Sequence, residues 1–313
     1  PGLDRNGGGY PDAERLKGLV RLGIPAYGKS PGNGFAEERY QDNPGVRQII
    51  QAADAPDPRP VWICLWGGAN TLAQAVWQVG RTRSGLELDA FLSKLRIHAI
   101  SDQDNSGMWL RKEYGDRLFY MVTPSPGTMS GAKEYFRAVW PGISADQNGH
   151  GSEDGIHGGG FSGADIELVG EPWLNRHIRR GPLGRLYPKT VYIMEGDTPA
   201  FLGLIPNGLN EPERPDWGGW AGRYVRAVSS EGAPIWDGGA DEVRGCDGKL
   251  HRSPQAGLWR WRPDFQHDFA ARMEWAAGAF ESCSHPPVVR LDQPGLLRVR
   301  PGETVELDAG ASE

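Results

Sequence analysis

Polar side chains that could take part in chemistry follow three apolar runs of this sequence. They are, in chain order, Asn70; Asp102 and Asp104; and Glu195 and Asp197. Carboxylates that meet at one sheet edge can bind a hard cation such as Ca²⁺, which takes about six to eight oxygen ligands. They can also serve as general acid and base. Each of them is equally suited to cap a following helix, because Asp and Asn accept hydrogen bonds from its first backbone N–H groups.

The apolar runs before these side chains predict strands. Residues 61–66 have the length and the β-branched and aromatic content of a buried strand, and residues 71–78 have apolar side chains at helical spacing. Further strands are predicted at residues 95–101, 118–122 and 190–194. The alternation of strands and helices predicts a mostly parallel sheet covered by helices. In that sheet the Gly-Gly-Ala-Asn turn at 67–70 lies where open α/β folds bind ligands.

The rest of the chain combines helices with long loops. Helices are predicted at residues 13–22, 45–53, 86–95, 108–114, 171–180 and 265–280. The glycine-rich stretch 142–163, with His150 and His157, is predicted to be a loop near the carboxyl ends of the strands. Residues 198–261 are predicted to be loops rich in tryptophan, among them Trp217 and Trp220. Packing in the core is the favoured role of these rings, and stacking on sugars is the alternative.

Composition restricts the partners of the chain. Its 313 residues have a formal net charge of −6 and contain no block of Lys or Arg, which argues against nucleic acid as a partner. No apolar run approaches the roughly 20 residues of a membrane-spanning helix. Cys64, Cys246 and Cys283 are too few and too widely spaced for a disulfide scaffold or a cysteine zinc site, although one 246–283 bridge is conceivable.

Both ends of the sequence suggest a longer protein. The chain begins with Pro1 rather than Met, so either a signal peptide and more have been removed or the sequence is a fragment. The protein is predicted to be secreted or periplasmic, with its signal peptide outside this sequence. Residues 286–313 alternate as short strands joined by a Pro-Gly turn. They are predicted to begin a β-sandwich of immunoglobulin type after a first domain at residues 1–283.

Six phrases of the sequence resemble, in order, the nucleoside hydrolase-like, cellulose-binding protein family. They are Trp-Gly-Gly-Ala-Asn-Thr-Leu-Ala-Gln at 66–74, Ala-Ile-Ser-Asp-Gln-Asp at 99–104, Gly-Pro-Leu-Gly-Arg-Leu-Tyr-Pro at 181–188, Met-Glu-Gly-Asp-Thr-Pro-Ala-Phe-Leu-Gly-Leu-Ile at 194–205, Trp-Gly-Gly-Trp-Ala-Gly-Arg-Tyr at 217–224 and Asp-Phe-Ala-Ala-Arg-Met at 268–273. The turn at 67–70 and the stretches 164–172 and 195–200 are also similar to motifs of the inosine-uridine nucleoside hydrolases. The resemblance implies a three-layer, Rossmann-like α/β fold.

The resemblance also implies a metal site. Asp197 matches an aspartate that binds Ca²⁺ in nucleoside hydrolases, and the backbone carbonyl of Leu65 matches another ligand. The family's opening aspartate-rich strand, which carries the other metal ligands and the general base, has no match in this sequence. Calcium is therefore the expected cofactor, and the catalytic base is expected on a strand outside this chain.

Four more residues match the family's substrate-binding positions. Asp165 matches a glutamate that holds the ribose hydroxyls, and Glu167 stands where the family has a ribose-binding asparagine. Glu195 stands in the region of a histidine, and Asn70 matches a turn asparagine whose role is more structural.

Two functions follow from the resemblance. One is a secreted carbohydrate-active hydrolase of glycosyl or N-glycosyl bonds, a reaction with an oxocarbenium-like transition state that carboxylates can stabilise. The other is a non-catalytic protein that binds cellulose or another polysaccharide. The ligand is expected to be a nucleoside, an oligosaccharide or a polymer, and the sequence does not choose among them.

Overall fold

A five-stranded sheet forms the centre of the protein. The computed structural model describes residues 9–122, 163–165, 167–189, 197–292, 295 and 297–312. The strands are β1 Ser30–Pro31, β2 Gly34–Phe35, β3 Val61–Leu65, β4 Leu95–Ala99, β5 Phe119–Val122, β6 Arg223–Val228, β7 Pro234–Gly239, β8 Asp241–Arg244 and β9 Leu250–Ser253. The central sheet has the order β3-β4-β5-β7-β6, in which only β6 is antiparallel to its neighbour. The prediction of a mostly parallel sheet is confirmed.

Helices of very different length surround the sheet. They are α1 Ala13–Leu19, α2 Pro44–Asp54, α3 Asn70–Thr82, α4 Gly85–Lys94, α5 Ser106–Tyr114, α6 Glu171–Trp173, α7 Gly181–Gly184, α8 Pro199–Leu202, α9 Pro254–Trp259 and α10 Arg262–Trp275. After α6 the chain continues as a π-helical turn, Leu174–Ile178, where a single helix was predicted. None of the described helices is long and apolar enough to cross a membrane.

The two faces of the sheet follow from the alternation of side chains along each strand. Ile63, Ile97 and Tyr120 pair across neighbouring strands on one face and pack in a core with apolar side chains of α3, α4 and α5. The opposite face carries Cys64, which pairs with His98 on β4. Further along the same row, β5 and β7 contribute residues 121 and 236 to a second buried cluster.

The tryptophan-rich stretch 198–261 differs from its prediction as loops. It contains the β6–β7 hairpin, the small β8–β9 sheet and helix α9. Strand β7 begins with Pro234 and ends with Gly238 and Gly239, residue types that are unfavourable in strand interiors. Pairing with β5 and β6 outweighs that local preference.

The C-terminal residues do not test the predicted immunoglobulin-like domain. Between 283 and 312 the described residues contain no helix or strand. Two contacts draw the segment together, from Arg290 N to Ser312 Oγ at 3.0 Å and from Asp292 N to Asp308 O at 3.3 Å. The predicted fourth strand at 190–194 and all of the loop 142–163 except Gly163, with His150 and His157, lie outside the described residues.

Candidate functional site

The side chain of Asn70 holds the preceding loop against the start of α3. Its Nδ2 donates to the carbonyl oxygens of Ile24 at 3.1 Å and Ala26 at 2.5 Å, and its Oδ1 accepts from Thr71 N at 2.9 Å. Because Asn70 is the first residue of the helix, it is not the N-cap that the turn predicted. These bonds support the structural role that the family resemblance gave to Asn70, and its contact with a ligand stays a prediction.

Asp104 supplies the missing cap from the end of the next strand. Its Oδ1 accepts from Ala69 N at 3.1 Å, just before α3, and from Ser106 N at 3.0 Å, the first residue of α5. A Cβ atom at Gly68 would collide with Oδ2 of the same carboxylate, so the turn favours a glycine there. The capping alternative is confirmed for Asp104.

Asp102 is committed to a buried ion pair. Its two carboxylate oxygens accept from the Nη1 and Nη2 atoms of Arg111, each at 2.8 Å. Glu231, in the turn between β6 and β7, accepts from Nε of the same guanidinium at 3.2 Å. Arg111 and Asp102 are both buried, and each neutralises the charge of the other. Asp102 therefore has a structural role.

Helix α8 is attached to the carboxyl ends of β3 and β4. The carbonyl oxygen of Ala200 accepts from Cys64 Sγ at 3.3 Å, and His98 also hydrogen-bonds the Ala200 backbone. The other side of His98 meets Tyr224, with 2.8 Å between Nε2 and Oη. Burial lowers the pKa of His98 to about 4 and raises that of Cys64 to about 11. His98 is therefore a buried core histidine that is hydrogen-bonded to its neighbours.

Asp197 lies directly before α8 and differs from the other two aspartates. It is half-buried, and none of the described residues forms a hydrogen bond or an ion pair with its carboxyl group. Burial alone raises the pKa of this group above its usual value. An unpaired carboxyl with a raised pKa is a feature of functional sites, although structural positions can show it too.

The described residues do not form a calcium site by themselves. The Leu65 carbonyl, the second expected ligand, accepts a hydrogen bond from Ile100 N at 3.4 Å. Among the described residues no group of three or more His, Cys, Asp or Glu side chains could hold a metal ion. Two oxygen donors fall short of the roughly six that Ca²⁺ requires, so we derive no chemistry through the metal and calcium stays a prediction.

Asp165 is hydrogen-bonded to the backbone of Glu167 and to the start of α10. Asp165 Oδ1 accepts from Glu167 N at 2.8 Å, and its carbonyl accepts from Nη1 of Arg262, the first residue of α10, at 2.6 Å. Glu167 is exposed. Within the described part of the chain no hydrogen bond or ion pair joins Asp165 to Asp197, and Glu195 lies outside that part. The substrate-binding roles of Asp165, Glu167 and Glu195 stay predictions.

The cysteines in this region are not bridged. Cys246 Sγ lies 3.7 Å from the carbonyl of Ala164, beside Asp165, and Cys283 and Cys64 are also free thiols. Burial, followed by the negative charges of Asp165 and Asp247, raises the pKa of Cys246. The conceivable bridge between residues 246 and 283 does not form.

A pair of exposed aromatic rings is formed by one residue after β3 and one residue of α8. Trp66 follows β3 on the same side as Cys64 and is 53% exposed, while Phe201 of α8 is 40% exposed. Their ring centroids lie 6.3 Å apart. For Trp217 and Trp220 the sequence favours packing in the core, with sugar stacking as the alternative, and it gives Trp66 no such role. The sequence feature that could have identified Trp66 is its position directly after β3, at the start of the turn.

Trp217 and Trp220 differ in how far they are exposed. Trp220 is buried with Leu202 and Phe265 in a small core cluster. Trp217 is 58% exposed and carries the Arg214 guanidinium over its ring at 4.7 Å. Core packing is confirmed for Trp220, as it is for two more rings of that stretch, at positions 236 and 259.

A cleft opens on the other side of Phe201. It encloses about 600 Å³, including its open mouth. Its walls are formed by Tyr187, Thr198, Phe201, Leu202, Ile205, Phe265, Gln266, Asp268, Phe269 and Arg272. An aromatic wall with a few polar groups is typical of small-molecule sites.

Comparison with known proteins places this fold in a family. The family model described as "Cellulose-binding Sde182, nucleoside hydrolase-like domain" matches residues 1–224. A solved structure of a nucleoside hydrolase-related hypothetical protein from Saccharophagus degradans, associated with carbohydrate metabolism, is 31% identical with a TM-score of 0.72. The match covers 100% of this chain and 67% of that one. No curated protein gives a significant match. The chain belongs to the cellulose-binding, nucleoside hydrolase-like family.

Proposed function

We propose that this protein binds β-linked glucan chains such as cellulose at the carboxyl end of its sheet, on the rings of Trp66 and Phe201. The family supports a carbohydrate ligand. The observation that carries the location is the exposure of two large rings next to each other. Aromatic faces offer apolar area to the C–H faces of sugar rings, and exposed apolar patches mark binding surfaces.

Retention on insoluble cellulose tests this proposal. Trp66→Ala is expected to lower the affinity at least about tenfold, because a central aromatic anchor contributes about 2 kcal/mol to binding. Trp217→Ala is the matched control, since Trp217 is about equally exposed and forms no ring contact with Phe201 in the described part of the chain. It is expected to change the affinity less than about twofold. Equal retention of both variants and the unmodified protein would contradict the location.

Hydrolysis of a glycosyl bond is the second candidate function. The half-buried carboxyl of Asp197 supports it, because a raised pKa brings a carboxylic acid closer to the range in which it can donate a proton at neutral pH. Release of base from inosine or uridine and of reducing ends from cello-oligosaccharides measures this activity. If the protein hydrolyses either, Asp197→Asn is expected to reduce kcat by at least about 100-fold. Unchanged turnover in the variant would remove Asp197 from the mechanism.

Secretion is part of the same proposal. Cellulose is an extracellular polymer, so a protein that binds it must leave the cytoplasm. Detection of the full-length native protein in culture fluid or periplasm supports this assignment, and its confinement to the cytoplasm contradicts it.

A further inference from the structure

We infer that the cleft beside Phe201 holds one pyranose ring of the same glucan chain. We call it the inner cleft and define it by the ten residues that line it, from Tyr187 to Arg272. This inference rests on the proposed carbohydrate function and adds a second, enclosed subsite to the exposed ring pair. Its walls are mostly aromatic and aliphatic side chains with a few polar groups, as is usual for ligand sites.

Phe201 joins the two subsites. Its ring contacts Trp66 at 6.3 Å between centroids, and the same residue forms part of the wall of the inner cleft. A chain that lies on the exposed rings therefore has an adjoining space for its next unit. Inside the inner cleft, the rings of Phe269 and Tyr187 pack edge to face with their centroids 5.6 Å apart. This contact stabilises the apolar wall.

The side chain of Gln266 forms part of one wall of the inner cleft. Gln266 is only 1% exposed, and its Nε2 donates to the carbonyl of Leu168 at 2.7 Å. Its Oε1 is buried and accepts no hydrogen bond in the described structure. An unsatisfied buried acceptor destabilises a fold by about 1 to 3 kcal/mol, and a turn of this amide toward the cleft would let a ligand hydroxyl satisfy it.

The charges of the inner cleft favour a neutral ligand. Asp268 and Arg272 both line it, and they neutralise each other through a contact of 2.6 Å between Oδ2 and Nε. The paired groups still offer polar atoms to hydroxyl groups, whereas neither is free to balance a phosphate or a carboxylate. A neutral, hydroxyl-rich ring with apolar faces fits these walls.

Calorimetric titration with cellohexaose tests the inner cleft. Ile205→Trp places a large side chain in the cleft and is expected to weaken binding at least about tenfold by exclusion. Leu209→Trp is the matched control, because Leu209 is exposed in the same stretch and does not line the cleft. Its affinity is expected to equal that of the unmodified protein.

Gln266→Met provides a second test if Ile205→Trp does not fold. It removes the unsatisfied acceptor at similar volume and is expected to weaken cellohexaose binding about fivefold, which corresponds to one hydrogen bond of about 1 kcal/mol. Thermal unfolding of each variant identifies those that are folded. Unchanged affinity in a folded Ile205→Trp or Gln266→Met variant would overturn the inner cleft.

The outcomes separate this inference from the proposed function. If the protein is retained on insoluble cellulose but does not bind cellohexaose, the inner cleft is not a sugar subsite, and the proposed binding on Trp66 and Phe201 is unaffected. Failure of the unmodified protein to bind either ligand contradicts both. Titration with inosine is the remaining experiment. If inosine binds tightly, Ile205→Trp abolishes that binding and cellohexaose does not bind, then the ligand of the inner cleft is a nucleoside rather than a pyranose.

Discussion

Three aspartates that the sequence predicts at the ends of strands have three different surroundings. Asp102 is neutralised by Arg111, Asp104 caps two helices, and Asp197 has a half-buried carboxyl without a partner in the described structure. The sequence could place all three at one sheet edge, because that follows from alternating strands and helices. It could not assign the tasks, since each depends on what the chain brings against the carboxylate from elsewhere.

Replacement of Asp197 tests its environment. Burial raises the folded-state pKa, so the unfolded state releases its proton first as the pH rises, and above the folded pKa the charge disfavours the fold. Asp197→Asn is expected to stabilise the protein at pH 7 by less than about 1 kcal/mol, because solvent screens a half-exposed group. The gain should shrink as the pH falls through the folded pKa. Urea unfolding at several pH values measures it.

Asp104→Asn is the control for that measurement. The amide is a poorer acceptor for the N–H groups of Ala69 and Ser106, so this variant is expected to lose stability at pH 7. A loss of stability in both variants would show that the Asp197 carboxylate is stabilised in the fold and contradict its assignment.

At the scale of elements, prediction succeeded where local pattern and tertiary position agree. Strand β3, at Val61–Leu65, and helix α4, at Gly85–Lys94 with its Ser84 capping box, carry their own signals. Strands β6 and β7 were missed because β7, with its proline and two glycines, depends on pairing with β5, far away along the sequence, and β6 depends on pairing with β7. Likewise, the contact between Arg111 and Glu231, in the turn between β6 and β7, forms only in the folded chain.

Arg111→Met tests the attachment of that hairpin to α5. The change leaves Asp102 without its bidentate partner in a buried position, and it is expected to lower the free energy of unfolding by about 3 to 5 kcal/mol. Arg117→Met is the matched control: Arg117 pairs with Asp89 at the surface, where such a pair contributes about 1 kcal/mol or less. Chemical denaturation compares the two. Equal losses of unfolding free energy in the two variants would mean that burial of the Arg111 ion pair does not increase its contribution to stability.

At the scale of the whole molecule, the candidate surface is assembled from segments that are distant in sequence. The carbonyl of Ala200 links α8 to β3 through Cys64 and to β4 through His98, and this places Phe201 beside Trp66. Sequence patterns could identify the turn after β3 as a ligand position. They could not pair it with α8, because no periodicity encodes a contact between segments so far apart.

Acid tests this central connection. Burial lowers the folded-state pKa of His98 from 6.5 to about 4, so between these pH values the unfolded state binds a proton that the fold does not. Stability that is present above pH 6.5 should therefore fall with decreasing pH, by at most about 1.4 kcal/mol per pH unit from this group. His98→Gln should flatten the slope of unfolding free energy against pH. Tyr224→Phe removes the 2.8 Å contact but no titrating imidazole, so it should lower stability and keep the slope. An unchanged slope in His98→Gln would show that acid sensitivity arises elsewhere.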